Sequence, residues 1–273
     1  MKKLLLALSV IILAACGNED NAVTKPTIQT STKRMLNVKL SSTTLLSGDA
    51  NSQETLGTEG ETTTETLSTF RMSYGGLWYN DFEKVNGKWP PVEWPSDVDN
   101  VTPIDFYAND GGTFVWNDGN PYVNFTMDED AFSQKDFLVA THKQISYNEK
   151  KGAVSLVFRH ACAAVQFKVF KEGDAECTVN SIKLKNVKKT GDYYYNESTN
   201  WQNIGTPTDY TLTNSDIVVT NDKQLLPSKW LFIIPQSKDG ITLEVNYNTD
   251  QQKIINLTGS WEANKKYTFN IRL

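Results

Sequence analysis

Apolar and polar residues alternate along most of the chain beyond residue 35. In residues 241–247 and again in 267–273, the odd-numbered positions are apolar and the even-numbered positions are polar. Successive side chains of a β-strand point to opposite faces, so this period of two predicts strands with one buried face. The sequence therefore predicts an all-β body. A weak helical pattern is limited to residues 128–137, where Asp128 is in position to cap a turn or two.

A tight connection between two strands is predicted at residues 114–123. Phe114–Trp116 and Pro121–Val123 are strand-like, and Asn117–Asn120 between them consists of Asn, Asp and Gly. These residue types adopt the left-handed backbone conformation that a hairpin turn needs. The segment is therefore predicted to be a β-hairpin.

The buried face changes sides within residues 153–170. Apolar residues occupy even-numbered positions in the first half of this segment and odd-numbered positions in the second half. A change of parity turns the apolar side of a strand to the opposite face, as expected where a chain leaves one core and enters another. This predicts a boundary between His160 and Ala163 and two β-sandwich domains, 35–162 and 163–273. A β-bulge inside a single domain gives the same pattern.

The first residues have the organisation of a secretory signal peptide. A cationic start precedes an uncharged apolar run, Leu4–Leu13, and two alanines precede Cys16. The apolar run is shorter than the roughly 20 residues that span a bilayer. Cleavage after residue 15 leaves the thiol of Cys16 at the new N-terminus, where two or more lipid chains anchor a protein stably. We therefore predict a signal peptide over residues 1–15, lipidation of Cys16 and a polar tether over residues 16–34.

Composition argues against several classes of function. The chain has 273 residues and a formal net charge of −5, and it lacks the clustered basic face of a nucleic-acid-binding protein. Two His residues are too few for a His-based metal or catalytic site, and His160, alone in a predicted strand, is predicted to be structural. No cofactor and no enzyme activity are expected. Residues 47–66, rich in Thr, Glu and Gly, are predicted to form a long exposed acidic loop.

The mature chain has two cysteines besides Cys16. Cys162 and Cys177 are able to form a disulfide in an oxidising compartment, or both are buried thiols. The sequence leaves these two alternatives open.

Four segments resemble the signatures of the Bacteroidales fimbrillin family, which includes fimbrial subunits and lipoprotein adhesins. The signal-peptide junction Leu13–Cys16 is the first. The other three resemble the family's WP…FxAY, DLxxA…VxLxFxHxxA and GxxYxFxI signatures, and they are Trp89–Pro95 with Ile104–Ala108, Asp136–Ala140 with Val154–Ala161, and Lys265–Ile271. Asn264 stands where glycine is usual. The resemblance covers most of residues 70–273. It implies two tandem transthyretin-like Greek-key β-sandwiches with a structural or adhesive role and no catalysis.

The resemblance also implies assembly by strand exchange. In fimbrillins a trypsin-like cut after Arg, or after Lys in some members, removes the N-terminal strand, and a strand of another subunit fills the groove. Arg34 is the matching position, at the end of the tether and before the alternating segment Met35–Leu40. Arg71 is a second candidate, and a cut there would give up Met35–Leu46. Lys33–Arg34 as a mere exposed basic pair is an equally open interpretation.

Aromatic residues concentrate between residues 74 and 116. Trp78, Trp89, Trp94 and Trp116 are candidates for stacking on a sugar ring or anchoring a protein partner if they are exposed. If they are buried, they fill the N-terminal core. The cluster makes a stand-alone surface glycan-binding lipoprotein the alternative function. A hydrolase is a third hypothesis, and it requires clustered carboxylates in a cleft.

The sequence thus predicts a cell-surface lipoprotein of fimbrillin type, held in the outer membrane by Cys16. The expected partners are other fimbrial subunits, through strand exchange, and a host or glycan ligand. The last alternating strand runs to Leu273 without the further residues that a polymerising subunit donates, which favours a tip or accessory component over a stalk subunit.

Overall fold

The structure is a computed structural model, and residues Arg34–Leu273 form one compact unit. The structure describes residues 33–43, 46–47, 63, 65–76, 78–117, 119–150, 153–173, 176–213, 215–221 and 224–273.

The described residues are almost entirely β-strands. In the first part of the chain these are β1 Met35–Ser42, β2 Leu46–Ser47, β3 Thr69–Tyr74, β4 Trp78–Glu83, β5 Val92–Glu93, β6 Ile104–Asn109, β7 Thr113–Val115, β8 Tyr122–Thr126, β9 Leu138–Ile145 and β10 Ala153–His160. They continue as β11 Ala163–Phe170, β12 Cys177–Tyr194, β13 Trp201–Thr213, β14 Ile217–Val219, β15 Gln224–Ile233, β16 Gln236–Ser237, β17 Thr242–Tyr247, β18 Gln251–Asn256, β19 Ser260–Trp261 and β20 Lys265–Arg272. One helical turn, α1 Tyr147–Lys150, separates β9 from β10. The all-β prediction is confirmed, while the tandem transthyretin-like topology stays a prediction.

The first sheet has the strand order β4-β3-β6-β9-β10-β1-β5. The alternation in β10 explains its burial, because Val154, Leu156 and Phe158 are fully buried and the residues between them are exposed. These side chains belong to a first hydrophobic cluster, to which the other strands of this sheet also contribute. The first sheet therefore surrounds a core of its own.

Two further sheets contribute to a second hydrophobic cluster. One has the order β15-β11-β20-β2, and the other has the order β18-β17-β12-β8-β7, with β13 and β14 also paired to β12. β16 and β19 form a separate two-stranded ribbon. Val165, Leu243 and Ile271 are among the fully or almost fully buried residues of this cluster. The apolar faces predicted for residues 241–247 and 267–273 thus pack into the second core.

Two strands lie between the clusters and serve both. In β9, Leu138 and Ala140 belong to the first cluster and Val139 belongs to the second, and β6 is divided in the same way around Tyr107. Because successive side chains point to opposite faces, a strand buried on both faces contributes to two cores.

The change of parity after residue 160 coincides with a change of cluster, from the first in β10 to the second in β11. However, β7 and β8 precede this point, and Val123 and Phe125 nevertheless belong to the second cluster because β8 pairs with β12. The two clusters therefore do not divide the chain at a single position. A division into separate domains between His160 and Ala163 stays a prediction.

Turn-forming residues explain the outcome of two local predictions, the hairpin at residues 114–123 and the helix at residues 128–137. The hairpin is confirmed, since Phe114 pairs with Val123 in an antiparallel β7–β8 ribbon. The helix over residues 128–137 is wrong, and these residues are turns and irregular backbone. Asp128 accepts the N–H of Asp130 at 2.9 Å, and Asp130 makes further turn contacts. Such side-chain bonds to a backbone N–H two residues on compete with a helix.

Cys162 and Cys177 are both buried and both free, so the structure contains two thiols and not the disulfide. Burial raises the pKa of each thiol, which keeps them protonated. Among the described residues, no helix has both the length and the apolar composition needed to cross a membrane.

Candidate strand-exchange site

The first strand lies between two neighbours of very different length. β1 pairs in parallel with β10 from Asn37↔Ala153 to Ser42↔Phe158, but it pairs with β5 at only two positions. Leu36 is fully buried in the first cluster, and Val38 and Leu40 pack against that cluster in part. We call β1 together with its flanking residues Arg34 and Thr43 the terminal-strand site. β1 is a short segment that completes a core built by residues far along the chain.

Arg34 ties down the N-terminal end of this site. Its guanidinium donates to Asn100 Oδ1 at 2.6 Å and to the backbone oxygen of Pro95 at 2.7 Å. It also lies 6.0 Å from the ring centroid of Tyr147, within range of a cation–π contact. The Arg34 carbonyl accepts the backbone N–H of Trp94 at 2.7 Å. The side chain and the carbonyl that a trypsin-like protease must engage are therefore both held in the folded protein.

Thr43 holds the C-terminal end of β1 through hydrogen bonds. Its N–H donates to the Phe158 carbonyl at 2.9 Å, and its own carbonyl lies 2.8 Å from Nε2 of His160. The Thr43 hydroxyl also donates to Asn264 Oδ1 at 3.2 Å. Asn264 has a φ of 60°, a conformation that glycine and asparagine adopt readily. This explains why asparagine is tolerated where the resembling signature has glycine.

A buried pair of titratable side chains lies behind Thr43. His160 is almost fully buried at the end of β10, and its Nδ1 contacts the Asp136 carboxylate, which is also buried. These two residues come from the two halves of one signature, Asp136–Ala140 and Val154–Ala161. The structure places them together because β9 and β10 are antiparallel neighbours. His160 is thus a structural residue with a partner at each ring nitrogen.

Asp110 adds a second, partly buried carboxyl to this region. Its Oδ1 accepts the N–H of Leu138 at 2.7 Å. Burial raises the pKa of Asp110 to about 7, against the opposing effect of the hydrogen bond from Leu138. The Asp136 charge raises this pKa further, and the charge of His160 lowers it. Asp110 and Asp136 also line a cavity of about 730 Å³ together with residues of the 66–69 and 125–128 segments.

We expect Asp110→Asn to flatten the dependence of stability on pH. The carboxyl of an unfolded chain has a pKa of about 3.9, so between about pH 4 and pH 7 the folded protein holds a proton that the unfolded chain has lost. The free energy of unfolding therefore falls as pH rises through this window. A difference of about three units corresponds to about 4 kcal/mol. The variant keeps an oxygen for the Leu138 N–H but does not titrate. Denaturant unfolding across the window measures the slope, with the exposed Asp97→Asn as the control. Parallel curves for the wild type and Asp110→Asn would contradict the assignment.

Arg71 lies in the middle of β3, which pairs with β4 on one side and β6 on the other. Its guanidinium donates to Asp81 at 2.7 Å and lies 5.2 Å from the ring of Tyr79. A cut at this position would sever a strand whose neighbours Phe70 and Met72 are buried in the first core. We therefore propose no maturation cut after Arg71.

The candidate binding tryptophans have different surroundings. Trp94 is fully buried in the first core, and its indole N–H donates to the carbonyls of Val98 and Asp99. Trp89 and Trp116 are partly buried, one against each cluster. The backbone of Trp78 lies in β4. A glycan surface formed by these residues stays a prediction.

Three predicted features lie outside the described residues. They are the signal peptide, the tether from Cys16 to residue 32, and most of the acidic loop, residues 48–62 and 64. Within the part of the chain that the structure describes, no three His, Cys, Asp or Glu side chains are grouped so as to hold a metal ion.

Sequence reasoning found the terminal strand and Arg34 but not the residues that hold Thr43. Asp136 and His160 are both part of the family signatures. Nothing in those signatures indicates that His160 contacts Thr43, which lies 117 positions away. Asp110, next to Gly111–Gly112, looks like an ordinary turn residue. An aspartate directly after a strand that is buried on both faces is the signal that points to a partly buried carboxyl.

The fold and the site define a class: an all-β protein with two hydrophobic cores, in which a short first strand completes one core. A profile of the family described as fimbrillin-like matches residues 55–273, and the chain belongs to this family.

Three solved structures are similar in fold over nearly their whole length. A candidate cell adhesion protein of Bacteroides ovatus matches with a TM-score of 0.57 and 13% identity, covering 88% of this chain and 92% of that one. A fimbrial protein of Bacteroides vulgatus has a TM-score of 0.53 and 17% identity, over 88% and 95%. A candidate cell adhesion protein of Bacteroides uniformis has a TM-score of 0.52 and 16% identity, over 89% and 93%. No functionally curated protein matches the chain.

Proposed function

We propose that this protein is a fimbrillin-type surface lipoprotein, lipidated at Cys16 and matured by a trypsin-like cut after Arg34. Family membership assigns it a structural or adhesive role at the cell surface. The observation that carries the finer proposal is the terminal-strand site. β1 completes a core, but on its outer side it pairs with β5 at only two positions, next to the contacts of Arg34. Arg34, at the junction between tether and strand, is the first residue of the compact unit.

A cut after Arg34 separates the tether from the body and leaves β1 attached to it. Between Lys39 and Arg71 the sequence contains no Lys or Arg, so a trypsin-like protease cannot cut behind β1 without entering β3. Maturation in this chain therefore frees the body from the lipid anchor and gives β1 a free N-terminus. A strand of another subunit then competes with β1 for the edge of β10 through backbone hydrogen bonds.

A tip or accessory position is part of the proposal, and β20 supports it. This strand pairs with β11 at seven positions and with β2 on its other side. Tyr267 and Ile271 are buried in the second core. A strand so placed is committed to its own sheet, and donating it would expose that core.

One experiment tests lipidation and maturation together. Cells that express the wild type, Cys16→Ser or Arg34→Gln are labelled with a palmitate analogue, fractionated and treated with a trypsin-like protease. The Arg34→Gln protein also carries Lys33→Gln, because a trypsin-like protease cuts after lysine as well and Lys33 directly precedes Arg34. We expect label on the wild type and Arg34→Gln but none on Cys16→Ser. We also expect the protease to release an unlabelled body that begins at Met35 from the wild type. It should release no such body from Arg34→Gln.

Arg71→Gln serves as the matched control, because it removes an arginine from β3, a strand of the sheet to which β1 belongs. It should be labelled and released like the wild type. Label on Cys16→Ser would refute lipidation, and release of Arg34→Gln at the same rate would refute the maturation site. Ladders of SDS-resistant multimers after the cut would support exchange, and their absence in the wild type would remove that part of the proposal.

A further inference from the structure

The two ring nitrogens of His160 both face oxygen acceptors. Nδ1 contacts the Asp136 carboxylate, and Nε2 lies 2.8 Å from the carbonyl of Thr43. A carbonyl oxygen only accepts, so Nε2 must carry a proton. A neutral imidazole has a single N–H. The group of three therefore needs one further proton, either on Nδ1 or on the carboxyl of Asp136. In both placements the Nε2–H donates to Thr43.

The surroundings of this pair hold the proton in place. Asp110 interacts electrostatically with both Asp136 and His160. The charges of the two carboxyls also raise the pKa of the buried Cys162. Cys162 is neutral because burial raises the pKa of its thiol. Arg159 precedes His160, but its side chain is on the exposed face of β10. The groups that face the imidazole are therefore carboxyls, which favour a protonated pair. Asn264, which contacts Thr43 from the β20 side, carries no charge.

We propose that the Asp136–His160 pair is a proton-dependent latch on the terminal strand. With its proton, His160 holds the carbonyl that directly follows β1, and β1 stays on β10. Without it, either the Thr43 carbonyl loses its donor or an imidazole lone pair faces the carboxylate. The junction weakens, and β1 opens more often. His160 is in this sense a positioning residue, which acts on strand exchange through Thr43. The inference rests on the proposed function only for the use that is made of the opened strand.

Hydrogen exchange of β1 measures the latch without any second subunit. The probe is the full chain with Cys16→Ser, and protection factors of the amides from Leu36 to Thr43 are recorded between about pH 6 and pH 10 and corrected for intrinsic exchange. We expect them to fall by about ten- to a hundredfold as pH rises, since a buried hydrogen bond to a charged group is worth about 1.5–3 kcal/mol. Amides of β12 and β17 should follow only the loss of stability that the titration of Asp110 causes in the whole fold, so the latch is measured as the additional fall in β1.

Asp136→Asn separates the proton from the packing. The amide of the variant donates to Nδ1 of a neutral imidazole, so Nε2–H still reaches Thr43 without an extra proton. Protection of β1 should then change with pH only as the protection of β12 and β17 does. His160→Phe keeps the ring but has no donor, and it should give low protection at every pH. His142→Gln should behave as the parent chain. It changes the other histidine of the protein, which lies on β9. Imidazole ¹⁵N shifts of His160 should titrate together with the protection in the parent chain.

A flat pH profile in the parent chain would overturn the latch, and so would an unchanged pH dependence in Asp136→Asn. If His160→Phe does not fold, the parent chain and Asp136→Asn decide the question by themselves. Because no multimer is scored, a failure of subunit exchange would count against the proposed function and leave the latch standing.

Discussion

Leu36→Asp should open the terminal strand and raise the rate of trypsin-like cutting after Arg34 by at least about tenfold. Leu36 is fully buried in the first core, and an unpaired carboxylate there costs several kcal/mol. Detaching β1 is the least costly way to return that charge to water, because on one side β1 has only two pairs with β5 and the contacts of Arg34. The Arg34 side chain then leaves Pro95 and Asn100 and enters the protease. The rate is measured as the appearance of the fragment that begins at Met35.

Asn37→Asp is the control for this prediction. It introduces the same charge at the next residue, where the side chain is exposed on the other face of β1, and the cutting rate should stay close to that of the wild type. Cutting after Arg71 reports whether the whole first sheet has unfolded, since that bond lies within β3. Equal rates for the two variants, or simultaneous cutting at Arg34 and Arg71 in Leu36→Asp, would show that β1 does not open as a separate unit.

Gly112→Ala should destabilise the whole protein by about 2–4 kcal/mol. Gly112 directly precedes β7 and has a φ of +71°. A Cβ at this position would lie 2.5 Å from Cγ1 of Val123 and 2.7 Å from the carbonyl oxygen of Asn124. The second of these atoms belongs to the backbone of β8, which also pairs with β12, so it cannot give way without disturbing the second core. Denaturant unfolding measures the effect.

Gly119→Ala isolates the steric part of this effect. Gly119 lies in the same hairpin and has a φ of +82°, but nothing lies within 4 Å of a Cβ built there. The variant therefore bears only the backbone strain, which is about 1–2 kcal/mol for an L-residue. If the two alanine variants lose the same stability, the contact with β8 is not what excludes a side chain at Gly112.

Several strands and one turn could be predicted from local chemistry alone. Alternation predicted β1, β17 and β20, and turn residues predicted the β7–β8 hairpin, because side-chain period and positive φ are properties of a few neighbouring residues. The helix at residues 128–137 was wrong for a reason of the same scale. Asp128 and Asp130 bind nearby backbone N–H groups and hold the chain in turns.

The terminal-strand site could be predicted only in part. The sequence indicated Arg34 and the strand after it, but the partners of Arg34 lie more than sixty positions away, at Pro95 and Asn100. Nothing in an alternating segment specifies which strand it joins, since any apolar face is able to complete any core. The latch of His160 on Thr43 is a long-range contact of the same kind.

By itself, then, the sequence determined the all-β character, the positions of the strands named above and the family signatures. It did so because each strand records which of its faces is buried. Only the tertiary structure decided which core each face enters: β7 and β8 join the second core, and β6 and β9 serve both. It also decided that Asp136, His160 and Thr43 meet. The physical reason is that strand pairing uses backbone groups common to all residues, so the choice of partner depends on how the whole chain packs.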